Sequence, residues 1–259
     1  FILRCIMMAG ARVITPTTPT SISACALRPL VMRAQKSAIT MDVRIQRGCI
    51  KEASAEKKPK VAKKASQVGK TLSICKPTRD VGHKPMKLSA PVVKKPFVNR
   101  IITLTTNCGE IQIEADGINA PLTVISMSYL ANQGFFDKSP CHRVTTQGIF
   151  VLQCGDPSGT GSGGPAYTAP DENLPKLSAN SYPAGSVAMA NSGPNTNGSQ
   201  FFIVYDDNSQ LGPNYTLWGK VVKGLEIVKA VAALGSDNSN PAGGGVPNQP
   251  ITIEKAIAR

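Results

Sequence analysis

Apolar and polar residues alternate in short runs through the second part of the chain, from residue 101 to the end. Ile101–Thr106 and Glu110–Glu114 flank the turn residues Asn107–Gly109, which predicts a β-hairpin. Alternate residues of a strand point to opposite faces, so each run can bury one face and expose the other. Further strands are predicted at residues 141–145, 150–153, 186–190, 200–205, 216–222 and 251–257.

Two other segments have apolar residues at helical spacing. The first begins after Asn119, has Pro121 in its first turn and ends at Gly134. The second covers Leu225–Leu234, with Gly235 as its C-terminal cap. Together the short strands and the two helices favour a mainly β fold: a closed eight-stranded antiparallel β-barrel capped by two α-helices.

The first hundred residues have a different composition. They hold 21 Lys and Arg against 4 Asp and Glu, whereas residues 101–259 hold 8 against 12. They also hold only 2 of the 13 aromatic residues. Such a segment cannot bury enough apolar surface to offset its chain entropy. We therefore predict a disordered basic leader over residues 1–97 and one folded domain over residues 98–259.

The leader is open to several interpretations. Residues 1–41 lack acidic residues and are rich in Ser and Thr, as transit peptides are, and the chain begins with Phe1. This part is interpreted as a disordered or non-native leader, with a targeting signal as the alternative. Residues 51–95 are rich in Lys and Pro, with no aromatic residues for base stacking, which favours a solvated linker over attachment to nucleic acid. With no apolar run long enough for a membrane span, we expect a cytoplasmic location, and a targeted or membrane-anchored protein is the alternative.

Several common kinds of site are disfavoured. The seven cysteines form no C-x-x-C pair and no cluster with the two histidines, so neither a metal site nor a disulfide framework is expected. Gly159–Gly164 matches G-x-G-x-x-G in form, but Pro165–Pro170 cannot open a helix, which favours a tight glycine loop over a nucleotide site. His142, beside Arg143 on a predicted strand, is interpreted as a buried core residue rather than a general base.

One ordered set of segments is more specific than these patterns. It consists of Phe136–Val144, Gly148–Asp156, Gly185–Ile203 and Leu211–Val221. In these segments the chain resembles the cyclophilin family of peptidyl-prolyl cis–trans isomerases, over about residues 101–259, and it looks most like a bacterial, actinobacterial-type branch. The continuous stretch Met189–Phe202, MANSGPNTNGSQFF, makes this match highly specific.

The resemblance implies a barrel with a helix at each end and an active groove on the outer face. It implies that Arg143 is the catalytic arginine and that Phe150 and Gln153 act beside it. Other residues are implied to form the proline pocket, to hold the substrate backbone or to flank the groove: Val151, Ala190, Asn191, Ser192, Gln200, Phe202, Leu211 and Tyr215. No cofactor or metal is implied.

The chain departs from the family's usual pattern at the groove. The link Thr145–Ile149 is about two residues longer than in the commonest members, which is expected to shift Phe150 and the groove rim. Gln210 stands where many members carry tryptophan, which predicts weak binding of cyclosporin-class inhibitors. Cys141 and Cys154 also replace usual residues, and they are interpreted as small buried thiols, with a redox-sensitive pair as the alternative.

The sequence therefore predicts a peptidyl-prolyl cis–trans isomerase that rotates X-Pro bonds in proline-containing segments of client proteins and assists their folding. The reaction is non-covalent, with Arg143 donating to the prolyl nitrogen, and a monomer is expected. Two alternatives stay open. One is a module that binds proline segments as a chaperone without significant turnover, and the other is a basic leader that tethers the domain to nucleic acid.

Overall fold

The computed structural model describes residues 75–207 and 209–259. This part of the chain contains nine strands and two helices, and it confirms the mainly β fold with two helices. The elements are β1 Arg100–Thr106, β2 Gly109–Ala115, α1 Pro121–Asn132, β3 Ser139–Pro140, β4 Arg143–Val144, β5 Val151–Cys154, β6 Ser186–Met189, β7 Phe201–Val204, β8 Leu217–Lys223, α2 Leu225–Ala233 and β9 Thr252–Ala258. The part of the predicted leader before residue 75 lies outside the described residues.

The strands form one antiparallel sheet in the order β3-β9-β1-β2-β8-β6-β7-β5-β4. The predicted hairpin is confirmed, since β1 pairs with β2 from Arg100 opposite Ala115 to Thr106 opposite Gly109. Of the predicted strand 141–145, only Arg143 and Val144 form a strand, β4, which pairs with β5. A further short strand, β3, precedes it and pairs with β9. The sheet therefore has nine strands rather than eight.

One face of the sheet packs a large apolar core. Ile102 lies opposite Ile113 across the first hairpin, and both side chains are buried. Trp218 of β8 is fully buried and packs edge-to-face on Phe201 of β7, with 5.9 Å between ring centroids. The alternating pattern of the sequence therefore corresponds to an inward face that is excluded from water, the main favourable contribution to folding.

Helix α1 covers part of this core with Val124, Met127 and Leu130. The N-terminus of α1 lacks a side-chain cap of its own, and Glu172 from a distant loop supplies one. Its carboxylate accepts from Leu122 N at 3.0 Å and from Thr123 N at 2.8 Å. These bonds satisfy backbone donors that the helix itself leaves without partners, and they place the negative charge at the favourable end of the helix dipole.

A second, smaller apolar cluster lies on the outer face of strands β5, β6 and β7. Because alternate residues face opposite ways, Leu152 of β5 joins the main core while its neighbour Val151 joins the outer cluster. The buried members of the outer cluster are Val151, Tyr182, Ala188, Phe202 and Val204.

Residues 75–99, which we call the strap, form neither helix nor strand and lie along the domain. Lys76 N donates to Asn107 O at 2.7 Å, and Met86 and Leu88 pack against the main core. His83 N donates to Pro157 O at 2.7 Å. The strap belongs to the same unit of the chain as the sheet, Ala65–Arg259. Most of the strap lies within the predicted leader, and the domain boundary between residues 97 and 98 stays a prediction.

Among the residues that the structure describes, two disulfides are present, Cys75–Cys108 and Cys141–Cys154. The preferred interpretation of Cys141 and Cys154 as free thiols was wrong, because the pairing of β4 with β5 brings the two residues together. The cysteine count predicts no disulfide framework, yet Cys75 is bonded to Cys108 at the turn of the first hairpin. Spacing along the chain does not reveal either contact.

Neither helix between residues 75 and 207 or between 209 and 259 has the length and apolarity that a membrane crossing requires.

Candidate active site

Arg143 lies on the outer face of the sheet, at the start of the short strand β4. Its neighbour Val144 is fully buried in the main core, so the Arg143 side chain points the other way. Strand pairing places Arg143 directly opposite Gln153 of β5. Two of the three predicted catalytic side chains, Arg143 and Gln153, therefore share one face.

The guanidinium group of Arg143 is fixed by three hydrogen bonds. Nη1 donates to Gln153 Oε1 at 3.2 Å, Nε to Gly243 O at 2.9 Å and Nη2 to Ala242 O at 2.9 Å. A guanidinium has five N–H groups, so one on Nη1 and one on Nη2 are not engaged by these bonds. Burial lowers the pKa of Arg143 below its usual value, while the nearby phenol of Tyr215 acts in the opposite direction. The group is charged at neutral pH, since arginine does not lose its proton in proteins.

Gln153 continues this hydrogen-bonded chain. Its Nε2 donates to Gln200 Oε1 at 3.0 Å, and Gln200 Nε2 donates to Gly161 O at 2.9 Å and Gly163 O at 3.0 Å. Each amide thus has its nitrogen facing an oxygen and its oxygen facing a donor, which sets the orientation of both side chains. The orientation of Gln153 in turn decides which atom Arg143 meets.

The loop that carries Gly161 and Gly163 is folded around the buried carboxylate of Asp156. This carboxylate accepts from Ser158 N at 2.7 Å, Thr160 N at 3.0 Å, Gly161 N at 2.7 Å and Gly163 N at 3.0 Å. Burial alone would raise the pKa of Asp156, but the hydrogen bonds from Ser158 and the glycine backbones outweigh it and hold the pKa below the usual value. The glycine-rich motif therefore makes a tight loop, as predicted, and opens no helix.

The outer apolar cluster forms a hollow next to these polar groups. Phe202 packs edge-to-face on Tyr215, with 5.3 Å between the ring centroids. Leu211 and Tyr215 are partly buried against the cluster, beside the buried side chain of Val151. The structure thus brings together four predicted proline-pocket residues.

Phe150 is the exception among the predicted pocket residues. It packs against the main core, and its ring lies edge-to-face on Tyr205 at 5.9 Å. Phe150 N also donates to Ser209 Oγ at 2.8 Å. Because Phe150 immediately precedes Val151 in an extended segment, the two side chains face opposite ways. A role for Phe150 in the groove stays a prediction.

A polar recess of about 530 Å³ adjoins this hollow. Several predicted substrate-binding residues line it: Gln153, Ala190, Asn191, Ser192 and Gln200. Asn191 Nδ2 donates to Asn214 O at 3.0 Å, and Ser192 N donates to Thr196 Oγ1 at 2.9 Å, so this stretch of backbone is held in place. The recess offers backbone and amide groups with which an extended peptide can form hydrogen bonds.

His142 is buried, as predicted, and neither of its ring nitrogens has a hydrogen-bond partner among the described residues. Burial lowers the pKa of His142 below its ordinary value, with Arg143 acting in the same direction and Asp156 acting against them. The lowered pKa favours the neutral form of the ring at pH 7.

Tyr182, which holds one wall of the hollow, lies in no motif that marks the site in the sequence. The Tyr182 hydroxyl donates to Tyr215 O at 2.8 Å and accepts from Tyr215 N at 3.0 Å. Burial raises the pKa of Tyr182 to about 12. Ala242 and Gly243, whose carbonyls accept hydrogen bonds from Arg143, were also not among the predicted site residues. The run Gly243–Gly245 was the only sequence signal for that turn.

Comparison with known proteins identifies the family. Residues 101–258 match the model of the cyclophilin type peptidyl-prolyl cis-trans isomerase/CLD family, and the chain belongs to this family. A solved cyclophilin type peptidyl-prolyl cis-trans isomerase from Cryptosporidium parvum superposes with a TM-score of 0.54 at 29% identity, over 62% of this chain and 98% of that one. A second structure of that protein was determined in the presence of the dipeptide Ala-Pro. It superposes with a TM-score of 0.53 at 29% identity, over 61% of this chain and 98% of that one.

Among curated proteins, the chain is similar to two mycobacterial proteins named probable peptidyl-prolyl cis-trans isomerase B. The protein from Mycobacterium leprae is 44% identical over 177 residues, which cover 60% of this chain and 60% of that protein. The protein from Mycobacterium tuberculosis is 42% identical over 189 residues, which cover 68% of this chain and 59% of that protein. The chain therefore spans about 60% of the length of these curated relatives.

Proposed function

We propose that this chain is a peptidyl-prolyl cis–trans isomerase that rotates X-Pro bonds in protein substrates. The observation that carries the proposal is the fixed guanidinium of Arg143, tied to Gln153 at 3.2 Å on the face that also holds the hollow of Phe202 and Tyr215. The family match and the similarity to proteins named peptidyl-prolyl cis-trans isomerase support the same activity.

The reaction is limited by amide resonance, which sets a rotational barrier of about 18–20 kcal/mol. In the twisted state the prolyl nitrogen becomes pyramidal and regains its lone pair. A donor aimed at that nitrogen bonds more strongly in the twisted state than in either planar isomer, which is the condition for acceleration. Lowering the barrier by about 7 kcal/mol gives roughly 10⁵-fold faster exchange.

Arg143 supplies such a donor without moving. Its bonds to Gln153, Ala242 and Gly243 hold the plane of the guanidinium, and N–H groups on Nη1 and Nη2 are left for the substrate. Because the group is held before the substrate arrives, little reorganisation is needed as the lone pair develops. No covalent bond to the protein forms or breaks during this step.

The remaining groove residues hold the two sides of the rotating bond differently. Phe202, Leu211 and Tyr215 form an apolar hollow that fits a proline ring. The polar recess at Asn191 and Gln200 holds the peptide chain next to that ring through hydrogen bonds. When one side is fixed and the other is free to turn, binding energy is used to orient the bond.

A protease-coupled assay on an X-Pro peptide tests this proposal. We expect Arg143→Ala to lower kcat about 100-fold or more while peptide binding changes little, because the donor acts mainly in the twisted state. Arg100→Ala is the matched control, an arginine of β1 outside the groove, and it should keep full activity. A wild-type chain that binds the peptide without turnover would instead support a chaperone-type binding module.

We propose further that the sheet closes into the eight-stranded barrel expected from the sequence. The edge strands β3 and β4 are separated only by Cys141 and His142, so one stretch of chain pairs with β9 and then with β5. Cys141 N donates to Ile251 O at 2.9 Å, which adds a link beside β9. When β3 and β4 are counted as one strand, the sheet has the eight strands that the sequence predicts.

The substrate class proposed is the proline-containing segments of client proteins, bound by a monomer without a cofactor. Weak inhibition by cyclosporin-class compounds is also proposed, because Gln210 stands where related proteins often carry tryptophan. For location, the two disulfides favour an oxidising compartment over the expected cytoplasm, where thiols are kept reduced. Contact of the basic leader with nucleic acid concerns mainly the part before residue 75, which the structure does not describe.

A further inference from the structure

We propose that the strap, residues 75–99, is a positioning element for the groove. It contacts the first residues of the loop Asp156–Gly164, and the last residues of that loop orient Gln200, Gln153 and Arg143. The effect on catalysis rests on the isomerase function proposed above, whereas the effect on the loop does not. The strap precedes the region that matches the family model, which begins at residue 101.

The strap is anchored to the sheet at its first residues. The disulfide Cys75–Cys108 joins it to the turn between β1 and β2. Next to this bond, Lys76 N donates to Asn107 O at 2.7 Å and Asn107 Nδ2 donates to Lys76 O at 2.9 Å. Asn107 is itself held by β9, since Thr252 N donates to its Oδ1 at 2.8 Å. The anchor is therefore covalent and lies on rigid strands.

The middle of the strap lies directly against the loop. His83 N donates to Pro157 O at 2.7 Å, and the His83 ring places Nε2 2.8 Å from Asp137 O. Gly82 has a φ of +96°, and a Cβ atom there would lie 2.7 Å from Pro157 O and 2.9 Å from Ser158 O. The two backbones are thus in contact with no room for a side chain between them.

A change at Pro157 and Ser158 affects the far end of the loop, because one carboxylate, that of Asp156, binds both ends. Asp156 accepts from Ser158 N and Oγ and also from Gly161 N and Gly163 N. A shift of residues 157–158 therefore changes the same hydrogen-bond set that places residues 161–163. Buried networks of this kind respond as a unit rather than bond by bond.

The loop reaches the reacting centre through two glutamines. Gly161 O and Gly163 O both accept from Gln200 Nε2, Gln200 Oε1 accepts from Gln153 Nε2, and Gln153 Oε1 accepts from Arg143 Nη1. None of the strap residues belongs to the hollow or the polar recess. The strap consequently acts through the loop, and its loss should misplace the donor rather than remove substrate contacts.

The variant Gly82→Ala tests the contact, because its new methyl group must displace Pro157 and Ser158 or the strap itself. Gly185→Ala is the matched control: its φ is +93°, so the backbone strain is the same, but no atom lies closer than 3.8 Å to the new Cβ. His83→Ala is a second variant. It removes an exposed side chain, so the variant should still fold.

All variants are made in the full chain, and two quantities are measured in each. The first is amide hydrogen exchange at Gly161 and Gly163, and the second is kcat and KM for an X-Pro peptide. For Gly82→Ala we expect about 10-fold faster exchange and about 10-fold lower kcat, with KM changed less than about twofold. His83→Ala should shift both in the same direction by a smaller factor, and Gly185→Ala should change neither.

The outcomes separate this inference from the proposed function. If exchange and kcat in Gly82→Ala and His83→Ala equal those of Gly185→Ala, the strap does not position the groove. Faster exchange with unchanged kcat also overturns the positioning role, while the isomerase function stands. If the wild-type chain does not accelerate isomerisation, the proposed function fails, and the exchange data still decide whether the strap holds the loop.

Discussion

Arg143 and Gln153 lie opposite each other on the paired strands β4 and β5, and their side chains are joined by a hydrogen bond of 3.2 Å. The register of two short strands therefore sets the position of the proposed catalytic donor. The disulfide Cys141–Cys154 joins the same two chain segments within two residues of each partner. Backbone pairing, a covalent bond and a side-chain bond all act to keep this pair in place.

Replacing Gln153 by leucine should lower kcat and leave KM nearly unchanged. Leucine cannot accept from Arg143 Nη1 or donate to Gln200 Oε1, so the guanidinium loses one of its three fixed partners. Loss of one such hydrogen bond should lower the rate about 10-fold. Steady-state kinetics of Gln153→Leu measure this, with Gln112→Leu on β2 as a control outside the groove. A large rise in KM at unchanged kcat would contradict the positioning role of Gln153.

The buried histidine should make folding stability depend on pH. The pKa of His142 is lowered in the folded protein, so the unfolded chain binds this proton more readily. Stability from this group is complete above its ordinary pKa of 6.5 and declines as the pH falls below that value. Urea unfolding at pH 7.5 and 5.5 should show a smaller loss on acidification in His142→Leu than in the wild type. Equal losses in the two proteins would refute this prediction.

The disulfide between β4 and β5 should stabilise the domain. Its cysteines are 13 positions apart, and a cross-link over a loop of that size contributes about 3 kcal/mol by restricting the unfolded chain. The double variant Cys141→Ala/Cys154→Ala should lose about this free energy of unfolding in buffer without reductant. Peptide mass mapping of the alkylated wild type gives the control, because both cysteines should resist alkylation until they are reduced. Labelling of either thiol before reduction would show that the pair is open.

Gln210 should limit the affinity for cyclosporin-class inhibitors. The residue is exposed beside the hollow at Leu211, where tryptophan is common in the family, so a large apolar contact is missing. Gln210→Trp should tighten inhibition about 10-fold, since an aromatic ring buried at an interface contributes a few kcal/mol at most. An inhibition titration of both proteins checks this, and equal inhibition constants would remove Gln210 as the cause.

Much of the fold followed from local patterns. Alternation identified β1 and β2 because each strand buries one face, and the helical spacing at residues 225–234 corresponds to α2. Arg143, Gln153 and Gln200 followed from ordered motifs, and the structure joins them in one hydrogen-bonded chain. These features depend on residues that are close in sequence or fixed by a long motif.

Contacts between distant segments could not be predicted in the same way. Ala242 and Gly243 hold Arg143 through backbone carbonyls, which every residue carries and no side-chain pattern marks. The charge and proline content of most of the strap favour a solvated chain, whereas Cys75 and Leu88 attach it to the sheet and its core. The motif predicts Phe150 as a groove residue. Because Phe150 precedes Val151 in an extended segment, its ring faces the core instead.

The most direct test of the proposed mechanism is exchange spectroscopy on an Ala-Pro peptide with the wild type and with Arg143→Lys. Lysine keeps the positive charge but lacks the planar fork that binds Gln153, Ala242 and Gly243 while leaving donors for the prolyl nitrogen. We expect the wild type to accelerate cis–trans exchange of the bound peptide and the variant to bind it with similar affinity but exchange it at least about 100-fold more slowly. Equal exchange rates in the two proteins would show that charge alone suffices and that the fixed guanidinium is not the catalytic group.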